Sequence, residues 1–230
     1  MKVVLLTLLT GLFLTQVAMA QDIPRIKARI LSFDGKTLTV TSGTAGQSLT
    51  VGLMPAARLM YEEKMVLSAI KPGDFLGATL ARDGSKWEAL ELHLLPQALQ
   101  GMGEGFYPMP SVPEQRIVTG TVAGNDTKAV MMDFRGSIGT DGPTCTGRAP
   151  RQGGCKGHIA FTLDDKAPVV AIKPGDKSIL VAGKVAAISV IAGPDGLLVT
   201  PGLTIENETG GEVVDAAPAK PSKPAPKPAK

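Results

Sequence analysis

Only two histidines and two cysteines occur in the 230 residues, so few places can support metal or nucleophile chemistry. His93 lies in the run WEALELHLL (87–95). Period-two alternation there puts Trp87, Ala89, Glu91, His93 and Leu95 on one face and Glu88, Leu90, Leu92 and Leu94 on the other. On a strand Glu91 and His93 are next-but-one neighbours, and a carboxylate and an imidazole so placed suit a borderline ion such as Cu²⁺, Zn²⁺ or Ni²⁺. His158, three positions after Cys155, completes an expected metal set of Glu91, His93 and His158, with Glu104 and Met102 as further donors. The competing reading is a solvated strand face that holds no cofactor.

The cysteines stand in DGPTCTGRAPRQGGCKGH as Cys145 and Cys155. In an exported chain an even cysteine count reads as a disulfide. A soft metal site with His158 is the alternative, but the spacing lacks the closely paired cysteines of structural zinc knuckles. Without a Cys-x-x-Cys pair, redox chemistry has no basis either. The methionines of the chain (Met54, Met60, Met65, Met102, Met109, Met131 and Met132 among them) are scattered and read as core filling. A second candidate is a ligand cleft made by Trp87, Glu104, Phe106 and Tyr107, the last three within GMGEGFYPMP (101–110). That segment also reads as a Gly/Pro-rich strap packed across a seam. GxSxG, Walker and HExxH patterns are all missing, so the expectation is a protein that is not an enzyme. With aromatics at 4% of the chain, base stacking on a barrel surface is not expected, and nucleic acid is excluded as a partner.

The elements that position these residues are predicted strands. Ile26–Phe33 and Thr37–Thr41 flank Asp34-Gly35-Lys36, a hairpin signal, and Gln47–Val51 follows. Phe75–Ala81 and Trp87–Leu95 flank a second Asp-Gly turn. The same order returns as Arg116–Val122, Lys128–Phe134, His158–Leu163, Ile179–Val190 and Leu197–Thr200. The hexapeptide AIKPGD stands at 69–74 and again at 171–176, between the third and fourth strands of each set. Its Pro-Gly pair reads as the centre of a type II turn that marks one corner of a unit built twice. The expected fold is therefore all-β: two tandem OB-like five-stranded antiparallel barrels at 21–100 and 114–208, joined by the strap at 101–113. A single sandwich of ten short strands is the alternative.

The ends of the chain speak to its compartment. Residues 1–20 have a basic Lys2, an apolar run from Val3 to Leu14 and small residues at Ala18 and Ala20. That is the layout of a signal peptide cleaved after Ala20, which predicts a periplasmic or secreted protein. No later stretch is apolar and long enough to be a transmembrane span of about 20 residues. Residues 209–230 include an Ala/Pro/Lys run, which predicts a disordered, extended tail. Without Lys2 and the tail's four lysines, 19 basic residues stand against 21 acidic ones. The basic isoelectric point of about 8.8 thus belongs to the tail, which suits a spacer or contact with an anionic envelope surface.

The hairpins around IKPGD, together with ALELHLLPQALQGMGEGF, resemble a tandem small-β-barrel domain family of unknown function in exported proteobacterial proteins. The similar rhizobial proteins are often labelled "metal ABC transporter permease". Ala89, Leu90, Glu91, His93, Pro96, Gly101, Gly103, Glu104 and Gly105 carry the resemblance. The chain departs from it at Phe106-Tyr107-Pro108-Met109-Pro110 and in its cysteine-bearing insertion. The resemblance implies a fold and an exported location, while the missing spans contradict the permease label. The functional expectation is a non-enzymatic envelope protein that binds an unknown envelope protein or polymer. The alternative is a metal-handling accessory protein.

Overall fold

The computed structural model describes residues 25–42, 46–110, 112–138 and 144–207, so the expected leader and tail lie outside the described residues. Among the described residues, thirteen strands and three short 3-10 turns make up the regular structure, and the fold is all-β. The strands are β1 (Arg25–Phe33), β2 (Thr37–Ser42), β3 (Gln47–Lys64), β4 (Phe75–Asp83), β5 (Lys86–Leu94), β6 (Gly105–Pro108) and β7 (Arg116–Asn125). The rest are β8 (Ala129–Gly136), β9 (Gly147–Arg148), β10 (Cys155–Leu163), β11 (Val169–Pro174), β12 (Val185–Ala192) and β13 (Leu198–Ile205).

Aspartate chemistry sets the first hairpin of each half. The Asp34 carboxylate accepts from the backbone N–H groups of Lys36 and Thr37. Asp126 does the same for Lys128 and Ala129. These donors stabilise the charged form and hold both carboxyls below the usual range. Asp34 and Asp126 are thus counterparts, each joining the first two strands of its half.

Pairing then departs from the expectation of two consecutive barrels. β1, β2, β3, β13 and β12 close into a five-stranded barrel, in which β3 and β13 run parallel. A second closed circuit joins β4, β5, β10, β8 and β7, with β5 and β10 parallel. Each circuit takes three strands from one half of the chain and a hairpin from the other. The hairpins are exchanged, so the expected boundaries at 21–100 and 114–208 do not enclose separate barrels. Burial follows the same division. Ala28, Ile30, Leu38 and Val51 pack with Leu180, Ile188 and Leu203. Leu76, Leu80 and Leu92 pack with Val118, Met132 and Phe161.

Two reciprocal clamps fix the exchange. Gly73 N–H donates to Val122 O at 2.9 Å, and Val122 N–H donates to Asp74 O at 2.8 Å. In the other half, Gly183 donates to Ile30 O at 2.8 Å and Ile30 donates to Lys184 O at 2.8 Å. Both glycines have a left-handed backbone, with φ of 94° and 90°, where a side chain would be strained. This corrects the reading of AIKPGD. The counterpart of Gly73 is Gly183, not Gly175, whose φ lies outside the left-handed region. The first hexapeptide ends one 3-10 turn and forms the clamp, whereas the second ends β11 and supplies Asp176 as the cap of the next 3-10 turn. Six identical residues perform two different local tasks.

A sheet shared by both circuits joins them. β3 runs past its barrel to pair antiparallel with β11, which also pairs in parallel with β5. Met60 faces Pro174, Glu62 faces Ile172 and Lys64 faces Val170. Since Gly73 matches Gly183, 110 positions on, Glu62 matches its own partner Ile172. The two halves therefore meet about a local two-fold through that pair. β3 can be this long because Pro55 sits where the β13 register slips between Thr200 and Gly202, so no ladder donor is required of it.

The strap at 101–113 is more than a connector. Its residues Gly105–Pro108 form β6, which pairs with β7 and β9. Because strands and hairpins cross between halves, cutting the backbone should not separate them. With a specific protease site in place of residues 110–113, the cleaved chain is expected to elute as one species and melt in one transition. Two fragments that separate without denaturant would contradict the exchange.

Candidate functional site

One face of the shared sheet forms a cleft of about 950 Å³. Its floor comes from alternate residues of β3, namely Ala56, Arg58, Met60 and Glu62, whose neighbours Leu59 and Tyr61 turn into the first barrel. Register places Arg25, Ser189, Gly202 and Arg58 in one row across β1, β12, β13 and β3. The next row of the same face runs Lys27, Ala187, Thr204 and Met60. Beyond the two-fold, β11 adds Val170 and Ile172, and β5 adds Glu91 and His93. Leu95 and Leu99 pack with Met60, Val170 and Ile172 as an aliphatic patch.

Charge in the cleft is sorted by position. Arg58 donates to the soft Met102 Sδ at 3.6 Å. Arg25 has no ion pair among the described residues. Lys27 is paired with Glu206 at 2.7 Å and adds no net charge. At the other end His93 Nε2 lies 3.8 Å from Glu62 Oε1 and 3.9 Å from Glu91 Oε2, within Coulombic reach but beyond hydrogen-bond distance. Glu91 accepts a hydrogen bond of 2.6 Å from the Thr79 hydroxyl, and Glu62 accepts one of 3.0 Å from the Asn207 N–H. Burial pushes the Glu62 carboxyl above its ordinary range, the nearby Glu206 and Glu91 adding to this, while the Asn207 N–H and His93 pull the other way.

The structure brings Glu91, His93 and Met102 to this cleft but leaves His158 elsewhere. His158 Nδ1 lies 2.7 Å from Asp133 Oδ1, in a smaller hollow of about 380 Å³ that also includes Glu104 and Arg135. No group of three or more His, Cys, Asp or Glu residues that could hold a metal ion occurs among the described residues. The expected set of Glu91, His93 and His158 is therefore dispersed, because β5 and β10 present these side chains to different concavities.

The residues of the second expected cleft pack against one another and their neighbours, and Glu104 lines the smaller hollow. Trp87 and Phe106 meet edge to face at 5.4 Å, and Phe106 leans on Phe134 at 6.0 Å. Arg82 lies 4.0 Å above Trp87, and Arg148 lies 4.7 Å above Tyr107. Glu104 is nearly buried and accepts from both the backbone N–H and the Nε of Arg135, at 2.9 and 2.8 Å. Cys145 and Cys155 form the expected disulfide, with Cα atoms 5.6 Å apart.

Sequence reasoning missed Arg25, Lys27, Arg58, Glu62 and Glu206 as site residues and read Met60 as core filling, which its burial matches. It placed the third strand at Gln47–Val51, whereas β3 runs on to Lys64. The alternation of Arg58, Met60 and Glu62 against Leu59 and Tyr61 was the available signal. A further correction concerns β5. A bulge opposite Thr79 and Leu80 shifts the alternation there, so Ala89 enters the core while Glu91 and His93 face the cleft.

No family model matches the chain, and no curated protein or solved structure matches it either.

Two measurements test this geometry. A carboxyl whose pKa is raised by folding favours the fold below its unfolded pKa and costs stability as pH rises through the folded value. Glu62→Gln should thus raise the melting temperature by a few degrees at most at neutral pH, with the gain fading as pH falls through the carboxylate range. A gain that grows on acidification would contradict the burial argument. Replacing both cysteines by serine should cost about 2–3 kcal/mol in urea unfolding, the chain-entropy value for a loop of this size. No change would mean that the bridge constrains nothing.

Proposed function

We propose that this chain is an exported envelope protein that acts by binding, with the cleft on the local two-fold as its ligand site. The observation that carries the proposal is the cleft itself. At about 950 Å³ it lies within the range of about 300–1,000 Å³ usual for ligand sites, and it combines an aliphatic floor with few, sorted charges. A basic end at Arg25 and Arg58 faces an acidic end at Glu62 and Glu91, which flank His93, and no side chain there has the arrangement of an activated nucleophile. Each five-strand circuit reads as an OB-like Greek-key barrel assembled from both halves.

Export rests on the leader-like residues 1–20 and places the protein in the periplasm or outside the cell. No helix among the described residues is long and apolar enough to cross a membrane. The lysine-bearing tail extends this reading as a spacer that touches an anionic envelope surface.

The test has two parts. N-terminal sequencing of the protein from its native envelope should begin at Gln21, and a chain that still carries Met1 would overturn the export reading. Native mass spectrometry of protein recovered from envelope extract should show a retained ligand in the wild type. Arg58→Glu and His93→Ala should reduce its occupancy at least tenfold at unchanged melting temperature. Retention indifferent to both substitutions would remove the cleft as the site.

A further inference from the structure

Two charges of the cleft, Arg58 and Glu62, lie on β3, and their spacing can be read from the strand. Arg58 marks one end, level with Arg25 across Ser189 and Gly202. Glu62 marks the other, four residues along the strand, which is about 13 Å at the usual rise per residue. Met60 lies between them on the strand, in the row that begins with Lys27, and packs in an uncharged patch with Ile172, Leu95 and Leu99.

We infer that the cleft takes a short linear peptide with free ends, its carboxylate held at Arg58, in the cross-strand row that begins with Arg25, and its amino group at Glu62 and Glu91. This rests on the binding reading above and adds the class of ligand. An extended chain of four residues spans about 13 Å, which matches the backbone spacing of Arg58 and Glu62 along β3. Guanidinium groups recognise a terminal carboxylate through paired, charge-assisted hydrogen bonds. Neither arginine is committed to an acidic partner among the described residues, and Arg58 reaches only Met102 Sδ. At the opposite end, each carboxylate has one oxygen engaged by Thr79 or Asn207 and turns the other toward His93 and the cleft. An ammonium group there would meet two acceptors of opposite charge.

The same layout disfavours other ligands. A polyanion that satisfies Arg25 and Arg58 meets Glu62 and Glu91 at the far end, and a polycation meets the reverse. Lys27 and Glu206 neutralise each other and leave the dipolar character unchanged. The aliphatic patch selects apolar central side chains, because a polar group laid on it loses water without gaining a partner.

The probe is a pool of tetrapeptides with free termini and Ala, Val or Leu at the two central positions, titrated calorimetrically into the purified full chain. Saturable binding is expected, with N-acetylated and C-amidated pools each bound at least tenfold more weakly. Arg58→Ala should erase the penalty for amidation and keep that for acetylation, and Glu62→Gln should do the converse. Arg25→Ala supplies a second, surface variant for the carboxylate end. Equal binding of free and blocked pools would overturn the inference. So would the absence of binding by any pool while the retained envelope ligand still depends on Arg58 and His93, a result that leaves the binding reading standing. Loss of both results would overturn the two together.

Discussion

Pairing between β3 and β11 is the contact on which the rest of the molecule depends. A barrel formed by one half alone would leave the far end of β3 with an unpaired row of backbone groups, an edge open to other chains. Here the edge is covered by the corresponding strand of the other half, running antiparallel about the Glu62–Ile172 pair. That pairing brings each half's last hairpin next to the other half's first three strands. The clamps at Gly73 and Gly183 then lock both hairpins through backbone groups that the barrels would otherwise leave unsatisfied.

The cleft follows from the same contact. Its basic and acidic ends both belong to the first half, on β1, β3 and β5, while β11, β12 and β13 of the second half complete its lining, so neither half contains it whole. The local two-fold also explains its asymmetry. Glu62 and Met60 stand where the other half has Ile172 and Val170, so one strand supplies charge and the other aliphatic surface. Two copies of a unit that share a face can divide its roles once their residues differ.

Far from the cleft, the aromatics and the disulfide serve packing. Phe134 lies over Gly157, where any Cβ would overlap its ring, and this lets β8 and β10 pair closely. Phe106 bridges Phe134 and Trp87, while the bridge between Cys145 and Cys155 ties the insertion beside that pairing. Side chains already engaged in this way are poor candidates for a ligand, although their residue types drew attention first. Exposure and convergence decide a site, and a residue type alone carries neither.

By themselves the residues determined most of the local structure. Asp-Gly turns, period-two alternation and the even count of cysteines are signals in the sequence itself, and the hairpins and the disulfide match them. The long reach of β3 was hidden by Gly52 and Pro55, since the register slip that tolerates them is contributed by β13, about 145 residues away in sequence. Which hairpin closes which barrel was decided only in three dimensions, because a strand's alternation specifies its buried face and not its neighbour. The repeated AIKPGD shows the same limit. Its letters are identical, yet one copy faces a clamp and the other a strand end, because backbone conformation is set by the partners each segment meets. For that reason Glu91 and His93 were legible as a polar pair, while their meeting with Glu62 on β3 was decided only in three dimensions, because β11 of the other half stands between β3 and β5.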